Sequence, residues 1–271
     1  MAESSTSSQS YPKSLIKDYG FSDDMNPRFR KTMEDAHIFV NNVGPDGRGV
    51  FFAVYDGHGG TEAVTVVKDA LYQIFSDLLR KKPHESIHHL LAEAFALTDK
   101  KLEDDHVDND GTTAAVIYMQ PEIRDGKEVV MIYSANCGDA RSVLISGGQS
   151  HRLSLDHKPT LPTEIERIEE AGGLVVLGRV SGVLAVSRAL GDHVMKQFVI
   201  SDPFVSEAEV KEGDAHIVVA CDGLWDVVSD ETAAGFISSA KGNCQSIAEN
   251  LVKYALDLGS TDNISVMVVA I

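Results

Sequence analysis

The amino-acid sequence predicts an α+β fold, a layered sandwich in which β-sheets carry pairs of helices on their outer faces. Strand-like segments come in blocks and helix-like segments in consecutive pairs, unlike the βαβ alternation of a parallel sheet. The apolar run Val50-Phe51-Phe52-Ala53-Val54-Tyr55 is continuous, the mark of a strand covered on both faces. With 271 residues, 43% of them apolar, the chain can bury a large core. No linker divides it, and the only internal repetition is a pair of strand-Asp-Gly units, Asp56-Gly57 and Asp222-Gly223.

Residues 1–13 read as a disordered Ser-rich tail, without a signal-peptide apolar stretch or a myristoylation glycine. The ordered domain is expected over 14–271. A strand over 36–43 leads through Gly44-Pro45-Asp46-Gly47 into the buried strand 50–55. From 61 to 82, Val64, Val67, Leu71, Ile74, Phe75 and Leu78 recur at helical spacing. Pro83 ends that helix and is expected to open the next, 84–103, with Leu90, Leu91, Ala94, Phe95 and Leu97 on its apolar side. A strand block follows over 112–119, 129–135 and 141–145, with Gly147-Gly148 as a hairpin turn. Pro162 and the stop Gly172-Gly173 outline a short helix over 164–171. It lies in an otherwise irregular surface excursion over 158–190. A strand over 217–221, helices over 230–240 and 244–258, and a strand over 264–271 complete the chain.

Lys and Arg total 24 against 41 Asp and Glu, a net charge of −17. That field disfavours nucleic acid and anionic membranes as partners and tolerates divalent cations. Cys137, Cys221 and Cys244 are widely spaced and form no CxxC pair, which argues for a reducing compartment, cytoplasmic or nuclear, and against a disulfide framework or structural zinc. No apolar run approaches membrane-spanning length.

Acidic residues crowd the strand borders. Glu34 and Asp35 precede one strand, Asp56 follows another and Asp139 precedes a third; Asp222 follows a fourth, Asp226 lies one turn on, and Asp262 precedes the last. A single aspartate there is more commonly a turn former. Two brought together repel unless a cation sits between them, and an all-oxygen set suits Mg²⁺ or Mn²⁺ rather than zinc.

The series of motifs resembles the protein phosphatase 2C family of metal-dependent serine/threonine phosphatases. It comprises Arg30-Lys31-Thr32-Met33-Glu34-Asp35, Asp56-Gly57-His58-Gly59-Gly60, Asp110-Gly111-Thr112-Thr113-Ala114 and Asn136-Cys137-Gly138-Asp139-Ala140-Arg141-Ser142. Then come Asp156-His157-Lys158-Pro159, Ser187-Arg188-Ala189-Leu190-Gly191-Asp192, Asp222-Gly223-Leu224-Trp225-Asp226 and Thr261-Asp262-Asn263, in the family's order over nearly the whole chain. Ala140, where serine is common, is a small departure.

The resemblance implies two antiparallel sheets flanked by helix pairs, a four-layer α-β-β-α sandwich with a dinuclear Mn²⁺ or Mg²⁺ site at one end. By motif position Asp56 bridges the metals and the Gly57 carbonyl binds one of them. Asp222 and Asp262 hold the other, Glu34 and Asp35 act through bound water, and Asp139 with Asp226 belongs to a weaker third position. Arg30 grips the substrate phosphate, where a planar guanidinium pairs with phosphate oxygens. Arg28 and Lys31 extend that basic patch. His58 is the general acid for the serine leaving group, worth on the order of 10²–10⁴-fold. The resemblance further implies a metal-bridging hydroxide as nucleophile, no phosphoenzyme, phosphoproteins as substrates, a monomer, and a flap over 158–190.

Rival readings are weaker. His84-Glu85-Ser86-Ile87-His88 spells a zinc-protease motif, but it follows Pro83 in an exposed first helical turn and lacks the extended ligand set. A calcium loop at Asp108-Asn109-Asp110-Gly111 fails its register, with His106 first and Ile117 last. Trp225 reads as core. A catalytically inactive scaffold would have lost ligands that are all present here, and a small-phosphoester hydrolase is separable only by assay.

Overall fold

Side-chain alternation within the buried runs decides how the layers stack. Phe51, Ala53 and Tyr55 face one helix pair, while Val50, Phe52 and Val54 face the opposite sheet. Far along the chain Val218 and Ala220 face a second helix pair, and Ile217, Val219 and Cys221 meet Phe52 and its neighbours between the sheets. The structure, a computed structural model, describes residues 15–240 and 242–271. The tail expected over 1–13 lies outside them.

The order is β1 (Asp18–Asp24), β2 (Asp35–Val43), β3 (Gly49–His58), α1 (Glu62–Lys81), α2 (Ile87–Asp104), β4 (Gly111–Thr112), β5 (Ala114–Arg124), β6 (Lys127–Cys137), β7 (Arg141–Ser146) and β8 (Gln149–Arg152). It continues with α3 (Pro162–Glu170), β9 (Val175–Val176), β10 (Arg179–Val180), β11 (Leu190–Gly191), β12 (Phe204–Glu209), β13 (Asp214–Ala220), α4 (Asp222–Trp225), α5 (Asp230–Ser239), α6 (Cys244–Asp257) and β14 (Ile264–Ala270). One antiparallel sheet runs β1-β14-β13-β7-β8. The other runs β11-β4-β3-β5-β6-β12, with β2 on β3, also antiparallel. Helices α1 and α2 cover the second sheet, α5 and α6 the first. The expected four-layer α+β sandwich is the observed fold.

Several expectations need correction. Helix α2 starts at Ile87, not directly after Pro83, because the Ser86 hydroxyl accepts the His89 N–H at 3.2 Å and caps it there. His84 is thus off the helix, and the zinc-protease geometry is absent. Leu97, expected on the apolar face, is 43% exposed. Strand β8 is the second arm of the hairpin at Gly147-Gly148, whereas β1 and β12 have no counterpart among the expected elements. The 158–190 excursion is less irregular than expected: α3 and the β9–β10 hairpin pack around a small core of Ile168, Val180, Val186, Ala189 and Val199.

Among the described residues no helix is long and apolar enough to cross a membrane. All three cysteines are buried and unpaired by disulfide.

Candidate active site

Antiparallel pairing brings the acidic strand borders to one end of the sandwich. Asp35 opens β2 directly opposite Asp56 near the end of β3. Beside them lie the end of β13, which runs into Asp222, and the starts of β7 and β14, preceded by Asp139 and Asp262. Oxygens of Asp56, Asp139 and Asp222 lie within 4.8 Å of one another, as do ligand atoms of Asp35, Asp56 and Cys221. A recess of about 400 Å³ there is lined by Arg30, Asp56, Gly57, His58, Thr113, Asp139, Asp222, Asp226 and Asp262, with Arg179, Leu184, Ala185 and Val186 from the excursion as its wall.

Backbone geometry holds this constellation. The Gly57 N–H donates to the Glu34 carbonyl at 3.1 Å, and the Thr113 N–H donates to the Asp56 carbonyl at 2.8 Å. A Cβ on Gly57 would sit 2.4 Å from the Glu34 oxygen, so only glycine fits. Asn263 straps the preceding loop in place. Its Oδ1 accepts the Glu34 N–H at 2.9 Å, and its Nδ2 donates to the Met25 and Thr32 carbonyls at 2.8 and 3.0 Å. Arg30, on that loop, ion-pairs with Asp262 and lies at the mouth of the recess. Arg28 and Lys31 do not line it. Asp110, the false calcium ligand, instead accepts the Glu62 N–H at 3.2 Å at the start of α1.

The electrostatics are those of a cation site. Burial first, then repulsion from neighbouring carboxylates, raises Asp222 to about 8. Burial likewise lifts Asp35 to about 7 against the lowering pull of Ser265 and Cys221, and Asp56 well above the carboxylate range. Asp139 rises to about 6 through burial, moderated by the Lys158 ammonium 3.5 Å away, and Asp262 rises through burial despite Arg30. The clustered donors are carboxylate oxygens, and the buried Oδ2 of Asp35 has no hydrogen bond of acceptable geometry. This set fits hard divalent cations. Burial and the adjacent carboxylates push the Cys221 thiol far up.

Three of the predicted positions stand apart from the rest; Asp35 does not line the recess, although its carboxylate lies within 4.8 Å of Asp56. The Glu34 carboxylate bonds the Thr32 hydroxyl at 2.8 Å and does not line the recess; only its main chain joins the site. Asp226 is exposed at the rim, where Lys158 donates to it at 2.7 Å. Sequence reasoning missed Lys158, Thr113 and Asp192 as site neighbours, although all three lie inside quoted motifs. It also missed the wall residues, which no motif contains.

The protein phosphatase 2C family profile matches residues 19–264. The chain belongs to the protein phosphatase 2C family and is a protein phosphatase by that membership. It is 36% identical over 267 residues to protein phosphatase 2C homolog 1 of Saccharomyces cerevisiae, covering 95% of both chains. To the Schizosaccharomyces pombe protein of that name it is 40% identical over 252 residues, 92% of this chain and 72% of the other. The crystal structure of serine-threonine phosphatase 2C from Toxoplasma gondii shares the fold, with TM-score 0.79, 20% identity and 96% of both chains covered.

Proposed function

We propose that this protein hydrolyses phosphoserine and phosphothreonine in proteins, using Mn²⁺ or Mg²⁺ held by Asp35, Asp56, Asp139, Asp222, Asp262 and the Gly57 carbonyl. The observation that carries the reading is the convergence of Asp56, Gly57, Asp139, Asp222 and Asp262 beside Arg30 and His58 in one recess, with an Asp35 oxygen within 4.8 Å of Asp56. When bound, the cations supply Lewis acidity that neutralises the phosphate dianion and makes water acidic enough to react at neutral pH. Arg30 binds the phosphate oxygens with paired N–H donors. His58 protonates the departing serine or threonine oxygen, since an alkoxide is a poor leaving group. The excursion over 158–190 serves as a flap, its Arg179, Leu184, Ala185 and Val186 forming the wall against which a peptide lies. Asp139 and Asp226 mark the weaker third cation position, where Lys158 is their counter-ion.

The test is phosphate release from a phosphothreonine peptide with Mn²⁺, with Mg²⁺ and with EDTA, for wild type and Asp222→Ala. Cation-dependent turnover that falls by at least about 10²-fold in the variant is expected. Folded wild-type protein without turnover under either metal would overturn the enzyme reading in favour of a scaffold. Turnover of small phosphoesters but not of phosphopeptides would make it a small-molecule hydrolase.

A further inference from the structure

Asp192 has no role in the scheme above, yet it touches one of its central residues. Its Oδ2 lies 2.7 Å from His58 Nε2, and its side chain is 4% exposed. Asp192 adopts a left-handed backbone conformation with φ of 51°, strained for an aspartate and found where the surroundings over-determine a residue. Those surroundings are visible. The Asp192 N–H donates to the Asp110 carbonyl at 3.0 Å, and the Gly191 N–H to Asp99 Oδ1 at 2.9 Å. Lys196 donates to that same Asp99 oxygen at 2.8 Å and to the Ala189 carbonyl at 3.0 Å. A Cβ on Gly111 would lie 2.2 Å from Asp192 Oδ2 and 2.5 Å from His58 Nε2, so a glycine is needed for the two to meet.

We propose that Asp192 is the positioning residue for His58: its carboxylate holds Nε2–H, turning Nδ1 to the substrate as the proton-donating nitrogen. A carboxylate on one imidazole nitrogen sets which tautomer and ring orientation the other presents. The inference rests on the reading of His58 as general acid. As the water oxygen bonds to phosphorus, the P–O bond to serine or threonine breaks and its electron pair stays on the departing oxygen. That oxygen takes the Nδ1 proton. His58 is left as the neutral Nε2–H tautomer and regains a proton from solvent, and the proton lost by the attacking water passes to solvent.

The experiment compares wild type, Asp192→Ala, Asp192→Asn and His58→Ala on a phosphoserine peptide and on p-nitrophenyl phosphate, whose leaving group needs no proton. Asp192→Ala should lower kcat on the peptide on the order of tenfold to a hundredfold, with a loss at least about ten times smaller on p-nitrophenyl phosphate. Asp192→Asn, which keeps an acceptor oxygen, should recover part of that loss. An equal fall on both substrates, or no fall, overturns the proposal. If His58→Ala shows the substrate split and Asp192→Ala does not, only the role of Asp192 falls; if His58→Ala shows none, the general-acid reading falls with it. Should the Asp192 variants not fold, long-range ¹H–¹⁵N spectra of the Mg²⁺-treated wild type decide. Neutral His58 carrying its proton on Nε2 supports the proposal, and the Nδ1–H tautomer overturns it.

Discussion

Asn263 shows how much of a phosphate site can depend on a residue that need not touch phosphate. Its amide makes three hydrogen bonds to the loop that carries Arg30, and it is 5% exposed. Each such bond contributes about 1 kcal/mol net, and a buried group left unpaired costs more. Asn263→Ala should therefore lower stability by about 2–4 kcal/mol in urea melts. Because the loop then no longer holds Arg30 over the recess, KM for a phosphopeptide should rise more than kcat falls. A variant with unchanged KM would show that Arg30 is held by its ion pair with Asp262 instead.

Among the elements, the 158–190 segment depends on one carboxylate. Glu164 on α3 is 1% exposed and receives Arg188 at 2.6 Å and Arg167 at 2.9 Å. These arginines also donate to the Ser187, Phe198 and Asp202 carbonyls. Burial alone would raise the Glu164 pKa, but the hydrogen bonds from both arginines hold it at about 2. Glu164→Gln should cost about 2–4 kcal/mol, less than a fully buried pair because the arginines are partly exposed. The loss should be local, so amide exchange should speed up across 158–190 and leave β3, β5 and β13 protected. Uniformly faster exchange would contradict a local latch.

For the whole molecule, the consequence of gathering carboxylates at one end is a stability that depends on pH and cations together. Asp139, Asp35 and Asp222 have folded pKa values of about 6, 7 and 8, all above the ordinary 3.8. Between the ordinary value and the raised one the folded protein holds protons that the unfolded chain has released, so these groups make stability fall as pH rises. In EDTA their contribution is largest near pH 4 and is lost progressively up to about pH 8. Divalent cations bind the ionised form and reverse that loss. The gain in Tm on replacing EDTA with Mn²⁺ should therefore grow from pH 5 to pH 8, measured by scanning calorimetry. A gain independent of pH would mean that the carboxylates are already ionised without cations.

Local periodicity along the chain accounts for the elements legible before any packing is known. Continuous apolar runs mark the two-faced strands β3 and β13, helical spacing marks α1 and most of α2, and the order of the short motifs marks the family. Strands β1 and β12 were not legible because edge strands bury little. Asp18–Asp24 carries only Tyr19 and Phe21, which stack on Phe39 and His37 of β2, a contact between the two sheets. Tertiary structure alone decided which acids meet. Asp56 and Asp222 are brought together by two strands of different sheets, and adjacent Glu34 and Asp35 part company, one bonded to Thr32 and the other facing Asp56. It also decided that Asp192 reaches His58, a contact set by the pairing of Gly191 with Gly111 and of Gly111 with His58. Such meetings depend on strand register across long stretches of chain, and register is a property of the packed core, not of any local window.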